Sequence, residues 1–377
     1  MTRILLSPDK FKGSLSAADV ARALASGILS VDSSLETVCL PVADGGDGTV
    51  DAAVAAGWDR AAVTCTGPTG EPVETSYARR GDTAVVELAS AVGLELLPGG
   101  RSDALGASTF GLGTVIAHAL EAGAGRIVIG LGGSASTDGG AGMLTALGAR
   151  ILDADGNDVP LGGGALRGAV QLDLSGLLPS ARNAMFELAC DVDNPLLGVT
   201  GAAAVYGPQK GAGPQELLYL EHGMRQWAHL VRNAIGRDVS GIAGTGAAGG
   251  TAFGAIAVLG AVAKPGIETV LELIDFGSAV ASADLVITGE GSLDEQSLHG
   301  KAPIGVAQAA RAAGVPVITV AGRSVIGLDR LRPYGITASY ALSDVEPDPR
   351  ISIRDAARLL HEVGRTMATT HILEGTS

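Results

Sequence analysis

The stretch Arg3-Ile4-Leu5-Leu6-Ser7-Pro8-Asp9-Lys10-Phe11-Lys12-Gly13-Ser14-Leu15-Ser16 decides how the rest of the chain is read. Arg3 to Leu6 reads as a strand and Ser7 to Gly13 as a polar loop. Ser16 then opens a helix, with Asp19 three residues on completing a capping box. Val20, Leu24 and Ile28 recur on one helical face. A second strand, Thr37 to Pro41, runs into Ala43-Asp44-Gly45-Gly46-Asp47-Gly48, and another helix begins near Thr49. This βαβα opening is the signature of a parallel sheet covered by helices.

The last hundred residues return to the same alternation. Asp284 to Thr288, Val315 to Ala321 and Ser339 to Leu342 read as strands; Ile304 to Ala313 and Ser352 to Thr369 read as helices. Ser352 and Asp355 form a capping box for the latter, whose apolar face is Leu359, Leu360, Val363 and Met367. The middle is different. Ala61 to Thr66, Val73 to Tyr77 and Thr83 to Leu88 are short strands separated by Gly67-Pro68-Thr69-Gly70 and Arg80-Gly81-Asp82, which predicts antiparallel hairpins. Ile127 to Leu131 and Glu187 to Cys190 are further strands, and Glu216 to Ile235 is a long helix. The expected fold is α/β with two domains: a Rossmann-like parallel-sheet domain from residues 1–59 and 279–377, and a mixed α/β domain, 60–278, inserted between them.

Composition narrows the function. The 377 residues carry a net charge of −14, which argues against nucleic acid or an anionic membrane as partners. Aromatics make up only 3%, so aliphatic side chains must fill the cores, and 56 glycines cluster in turns. Cys39, Cys65 and Cys190 are scattered without CxxC spacing, which fits buried thiols in a reducing cytoplasm. Val239 to Ala263 is uncharged and apolar, but seven glycines interrupt it and no basic flank accompanies it, so no membrane span is expected.

In parallel α/β sheets ligands bind beyond the carboxyl ends of strands. Five loops place chemistry there. The first holds Asp9, Lys10, Lys12 and Ser14 ahead of a helix N-terminus, which favours an anion. Asp44, Gly45, Gly46 and Asp47 form the second, where glycines permit close approach and carboxylates suit Mg²⁺ or a hydroxyl. The third, Gly130 to Gly140, offers glycine amides at Gly132 and Gly133 together with Ser134 and Asp138. Asp191, Asp193 and Asn194, followed by Gln209 and Lys210, make the fourth. The fifth carries Glu290 and Asp294 and ends at Lys301. Any one of these reads as an ordinary turn; five together argue for an active site. Phosphoryl transfer needs this mixture of carboxylates and lysines, because it depends on positioning and charge stabilisation. No Walker A pattern is present, and Gly244-Thr245-Gly246-Ala247-Ala248-Gly249 follows a poor strand with no ribose-binding acid. The histidines lack metal-ligand spacing.

Pro8 to Ser16, Ala43 to Thr49, Gly132 to Gly140, Asp191 to Leu196, Tyr206 to Ala212 and Asp284 to Gly291 resemble, in order, the bacterial type-1 glycerate kinase family. Asp47 and Thr137 stand where that family often has Glu and Asn. The resemblance implies transfer of the ATP γ-phosphate to D-glycerate, with Mg²⁺, in a cleft between two α/β domains, and 2-phosphoglycerate as the favoured product over 3-phosphoglycerate. The partners expected are therefore glycerate and ATP, with a homodimer left open.

Within that frame Asp191 is the candidate for orienting or deprotonating the hydroxyl. Lys12 and Lys210 neutralise charge, and Glu290 and Asp294, or else Asp44 and Asp47, hold Mg²⁺. Asp9, Lys10, Ser14, Asp44, Gly45, Gly46, Gly132, Gly133, Ser134, Asp138, Asn194 and Gln209 are the candidates for substrate and phosphate contacts. Two rivals compete with this reading: a non-catalytic sensor of small carboxylic acids, and a nucleotide-dependent oxidoreductase built on Gly244 to Gly249.

Overall fold

The computed structural model describes residues 2–373 and divides them into two compact units. One comprises 2–44, 51–57 and 266–373; the other comprises 45–50 and 58–265. The chain returns to the first unit at 266 rather than at the expected 279. The reason lies in the helices Gly266–Leu273 and Phe276–Val280, whose Ile267, Val270, Phe276 and Val280 are buried with Leu5, Val286 and Val317 of the first unit's sheet.

That sheet has five strands in the order Ile336–Ala341, Val317–Ser324, Leu285–Leu293, Arg3–Pro8, Glu36–Cys39, all parallel. Alternate side chains feed two cores, as the pleat requires. Ile4, Leu6, Ile287 and Ile318 pack under the helices Ala17–Leu29 and Ala356–Met367, while Leu5, Val286 and Val317 pack under Ala302–Ala312. From Arg3–Pro8 the chain moves outward to Glu36–Cys39, and from Leu285–Leu293 it moves outward in the opposite direction. The strand order therefore reverses between Arg3–Pro8 and Leu285–Leu293, and a crevice opens at their carboxyl ends.

The first helix begins as the sequence implies, with the Asp19 N–H donating to Ser16 Oγ at 3.2 Å. It lies so close to Ala356–Met367 that a Cβ on Gly27 would overlap the His361 carbonyl. The expected capping box at Ser352 and Asp355 does not form. Residues 349–367 make two helices, Pro349–Arg354 and Ala356–Met367, parted at Asp355, and Asp348 caps the first by accepting from the Arg350 N–H. Ser352 is buried inside that first helix.

The second unit has a six-stranded mixed sheet in the order Val262–Lys264, Met185–Ala189, Arg126–Gly130, Thr83–Glu87, Pro72–Arg80, Asp59–Thr66. The first four strands are parallel and the last two are antiparallel hairpin partners. Glu187 joins three of the strands, pairing with Arg126 at 2.9 Å and Lys264 at 3.1 Å. The helices Phe110–Glu121, Pro214–Ile235 and Ala247–Val258 cover an aliphatic core that includes Leu112, Ile116, Ile127 and Phe253. Val239 to Ala263 holds a helix of only twelve residues and the start of the strand Val262–Lys264, and among the described residues no helix is long and apolar enough to cross a membrane. All three cysteines are free, but only Cys65 is buried; Cys39 closes a short edge strand and is exposed.

Candidate active site

The first unit carries a cavity of about 580 Å³ at the strand-order reversal. Asp9 enters it from the end of Arg3–Pro8, held by its own N–H donating to the Gly289 carbonyl at 2.8 Å. Glu290 reaches the cavity from the neighbouring strand. Glycine at 291 permits this convergence, since a Cβ there would come within 3.3 Å of the Lys12 backbone nitrogen. Asp44, Lys10, Lys12 and Lys301 also face the cavity, the last as N-cap of Ala302–Ala312.

Its carboxylates are forced close together. Burial, reinforced by the like charge of Asp44, pushes Asp9 up to about 8, although the Lys10 N–H donates to its Oδ1 at 2.6 Å. Burial likewise raises Glu290 above its ordinary range, against the opposing pull of Ser297 and Lys301. Glu290 Oε1 is enclosed and has no hydrogen-bond partner. An orphaned carboxylate oxygen beside other hard oxygen donors fits Mg²⁺, which typically takes one or two carboxylates plus phosphate oxygens and water. Among the described residues no three His, Cys, Asp or Glu side chains gather into a ready-made metal nest.

Two candidates of this unit are occupied with structure. Asp294 Oδ1 accepts from the Gln296 and Ser297 backbone N–H groups at 2.9 and 3.3 Å, closing its own turn. Ser14 Oγ donates to the Ile353 carbonyl at 2.6 Å, tying the lysine loop to the helix Pro349–Arg354.

The second unit builds a closed nest. After Arg126–Gly130 the chain turns through Gly132 and Gly133 into Ser134, Ser136 and Asp138, the last three buried. Gly45 and Gly46 lie against this turn: a Cβ on Gly130 would meet the Gly45 carbonyl at 2.8 Å, and one on Gly132 would meet Gly46 Cα at 3.1 Å. Asp47 is exposed beside them. Asp138 is fully buried. Its Oδ2 accepts from Thr109 N–H and Oγ1, both at 2.8 Å, and from Gly142 N–H at 3.1 Å. It locks the loop.

Lys210 is buried, and its ammonium donates to Ser134 Oγ and to the Ser136 carbonyl. Burial lowers it to about 7, with Asp138 pulling the other way. Gly249 completes the enclosure with a φ of +67°, its carbonyl accepting from the Gly139 N–H at 3.0 Å. The Gly244 to Gly249 segment therefore wraps a lysine and a serine turn, and no strand precedes it. That removes the structural basis of the oxidoreductase reading.

Asp191, Asp193 and Gln209 are exposed, Asp191 two residues beyond Met185–Ala189. Asn194 is committed at both ends of its amide: Nδ2 donates to the Thr200 carbonyl at 2.8 Å, and Oδ1 accepts from Tyr206 at 2.6 Å.

Two charged residues escaped sequence reading. Arg323 lines the first unit's cavity from the carboxyl end of Val317–Ser324, and its signal was a charge at the end of an apolar run. Glu87 is buried at the end of Thr83–Glu87 and accepts from the Val50 N–H at 2.6 Å. In the sequence it lies inside the expected strand Thr83 to Leu88, with nothing to mark it out.

Comparison with known proteins agrees along the whole chain. The model of the glycerate kinase family matches residues 4–372. A glycerate kinase of Bacillus subtilis (strain 168) is 44% identical over 371 residues, 98% of this chain and 97% of the relative. The glycerate 2-kinase of Escherichia coli (strain K12) is 44% identical over 344 residues, 90% of each chain. The crystal structure of a glycerate kinase 2 from Salmonella typhimurium LT2 superposes with a TM-score of 0.87 at 40% identity, covering 100% of both chains. The match spans both units and every loop described above: the chain belongs to the glycerate kinase family.

Proposed function

We propose that the chain transfers the γ-phosphoryl group of ATP to D-glycerate and releases 2-phosphoglycerate. The observation that carries this reading is the cavity at the strand-order reversal, where Lys10, Lys12 and Lys301 stand among Asp9, Asp44 and Glu290. Cations answer phosphate and carboxylate charge, and carboxylates answer hydroxyls or a metal-bound phosphate. A sensor of carboxylic acids would need the cations alone.

Glu290 and Asp44 would hold Mg²⁺, which supplies neutralisation of the charge that develops on the transferring group. Asp191, exposed beyond its strand, is the group proposed to orient the hydroxyl and take its proton. Asp138, Asn194 and Ser14 act by holding loops in place, and Lys210 fixes the backbone of Ser134 to Ser136. The name of the Escherichia coli relative supports attack by the 2-hydroxyl.

The test is to follow ADP release from ATP, Mg²⁺ and a panel of hydroxy-acids, then record the phosphorus NMR spectrum of the product. Phosphate on the 2-hydroxyl couples to one carbon-bound proton and gives a doublet; on the 3-hydroxyl it couples to two. Absence of ADP release with D-glycerate would refute the kinase reading, and a triplet would refute the regiochemistry. In Asp191→Asn, a fall in kcat of less than about tenfold excludes this carboxylate as the base, since such groups contribute about 10²–10⁴.

A further inference from the structure

We propose that the first unit's cavity is the site of the donor nucleotide, with the base against its apolar residues and the phosphates at its lysines. The proposal rests on the kinase reading and assigns one of its two substrates to one place.

Size is the first ground. Cavities of roughly 300–1,000 Å³ take ligands the size of drugs and cofactors, and this one measures about 580 Å³. A three-carbon acid would leave most of it filled with water. A nucleoside triphosphate would not.

Polarity is the second. The cavity is divided between two chemistries. Lys10, Lys12 and Lys301 line it, and so do the apolar Leu342, Pro347, Pro349 and Ile353. Leu342 is buried, but Ile353 is 52% exposed, an apolar side chain left in contact with water at the cavity margin. Glycerate is polar on every carbon and gains nothing from such a surface. A purine base is flat and largely apolar on its faces, so covering Ile353 removes unfavourable hydration.

Position is the third. Doubly wound sheets bind their ligands where strand order reverses, and the cavity lies at that point. The lysine loop and the apolar residues adjoin, because Ser14 of that loop donates to the Ile353 carbonyl at 2.6 Å.

The experiment compares the wild type with Ile353→Glu and the neutral Ile353→Gln, two variants at one exposed helical position that tolerates polar side chains. Binding of a non-hydrolysable ATP analogue is measured by calorimetry without glycerate, and KM is measured for each substrate. The proposal expects Ile353→Glu to weaken analogue binding and raise KM for ATP by about tenfold, a loss that calorimetry measures easily. Ile353→Gln should move the same way by less, and KM for D-glycerate should stay within about twofold, as expected for a residue outside the acceptor's contacts. Unchanged nucleotide constants, or a shift confined to glycerate, would overturn it.

A second measurement needs no variant. Photolabelling the wild type with an azido-adenine nucleotide should mark the 342–356 segment; labelling only in residues 58–265 would overturn the assignment. Failure here with intact glycerate phosphorylation rejects the site alone. Analogue binding and labelling as expected, without phosphoryl transfer to glycerate, rejects the acceptor reading alone.

Discussion

The cavity of the first unit and the nest of the second handle buried charge in opposite ways. In the cavity, Asp9 and Glu290 are crowded against Asp44 and held above their ordinary range, and one Glu290 oxygen has no partner. In the nest, Asp138 accepts from four donors on a single oxygen, and Lys210 is enclosed by a serine hydroxyl and a carbonyl. An unsatisfied, electrostatically strained group costs stability and waits for a ligand; a satisfied one holds shape. On the proposed reading, the difference separates residues that meet substrate from residues that place them.

The largest expected effect lies in the nest. Gly249→Ala would drive a Cβ into the Ser136 carbonyl at a φ of +67°. Loss of about 3 kcal/mol or more in urea unfolding, together with loss of activity, is the outcome a rigid nest requires. A variant of wild-type stability would show that the nest yields.

Lys210→Met tests the same enclosure through pH. Folded Lys210 titrates at about 7, below the ordinary 10.5. Between these values the unfolded chain binds a proton that the folded chain has lost, so this group makes stability rise with pH across the window. Urea midpoints of the wild type should climb from pH 7 upward, and those of Lys210→Met should climb less.

Asp9→Asn should show the opposite sign. The folded carboxyl titrates at about 8 against an ordinary 3.8, so the folded chain holds the extra proton and wild-type stability falls as pH rises between those values. The variant should be inactive yet more heat-stable than the wild type at pH 8, with the gap shrinking as pH is lowered toward 4. A destabilised variant at pH 8 would mean that Asp9 is a structural group like Asp138.

Lys12→Ala sets the lower bound. Lys12 is exposed at the cavity, so stability should change by no more than about 0.5 kcal/mol while KM for ATP rises.

Much of this architecture was legible in local pattern. Ser16 with Asp19, and the apolar spacing of Val20, Leu24 and Ile28, specify a helix from neighbouring residues alone, and all three apolar residues are buried. Ser352 and Asp355 carry the same pattern and fail, because the cap is supplied by Asp348 and Ser352 is buried. The site was legible as a set of strand ends, and less so residue by residue. Asp138 and Asp9 look alike in a glycine- or lysine-rich loop. Donors from Thr109, twenty-nine residues away, surround one of them, and the charge of Asp44 crowds the other. Lys210 reads as a phosphate-binding lysine until the Ser134 to Ser136 turn is seen closing over it.

The close packing of Gly27 on His361 bears on biogenesis. His361 also meets Ser26, 335 residues earlier in the chain. On the ribosome, the segment 58–265 has all its own strands in hand long before the helix Ala356–Met367 emerges. The helix Ala17–Leu29 precedes this partner by more than three hundred residues. The part of its apolar face that the later helix covers stays open through most of translation, which makes it a stretch where chaperone capture of the nascent polypeptide should concentrate.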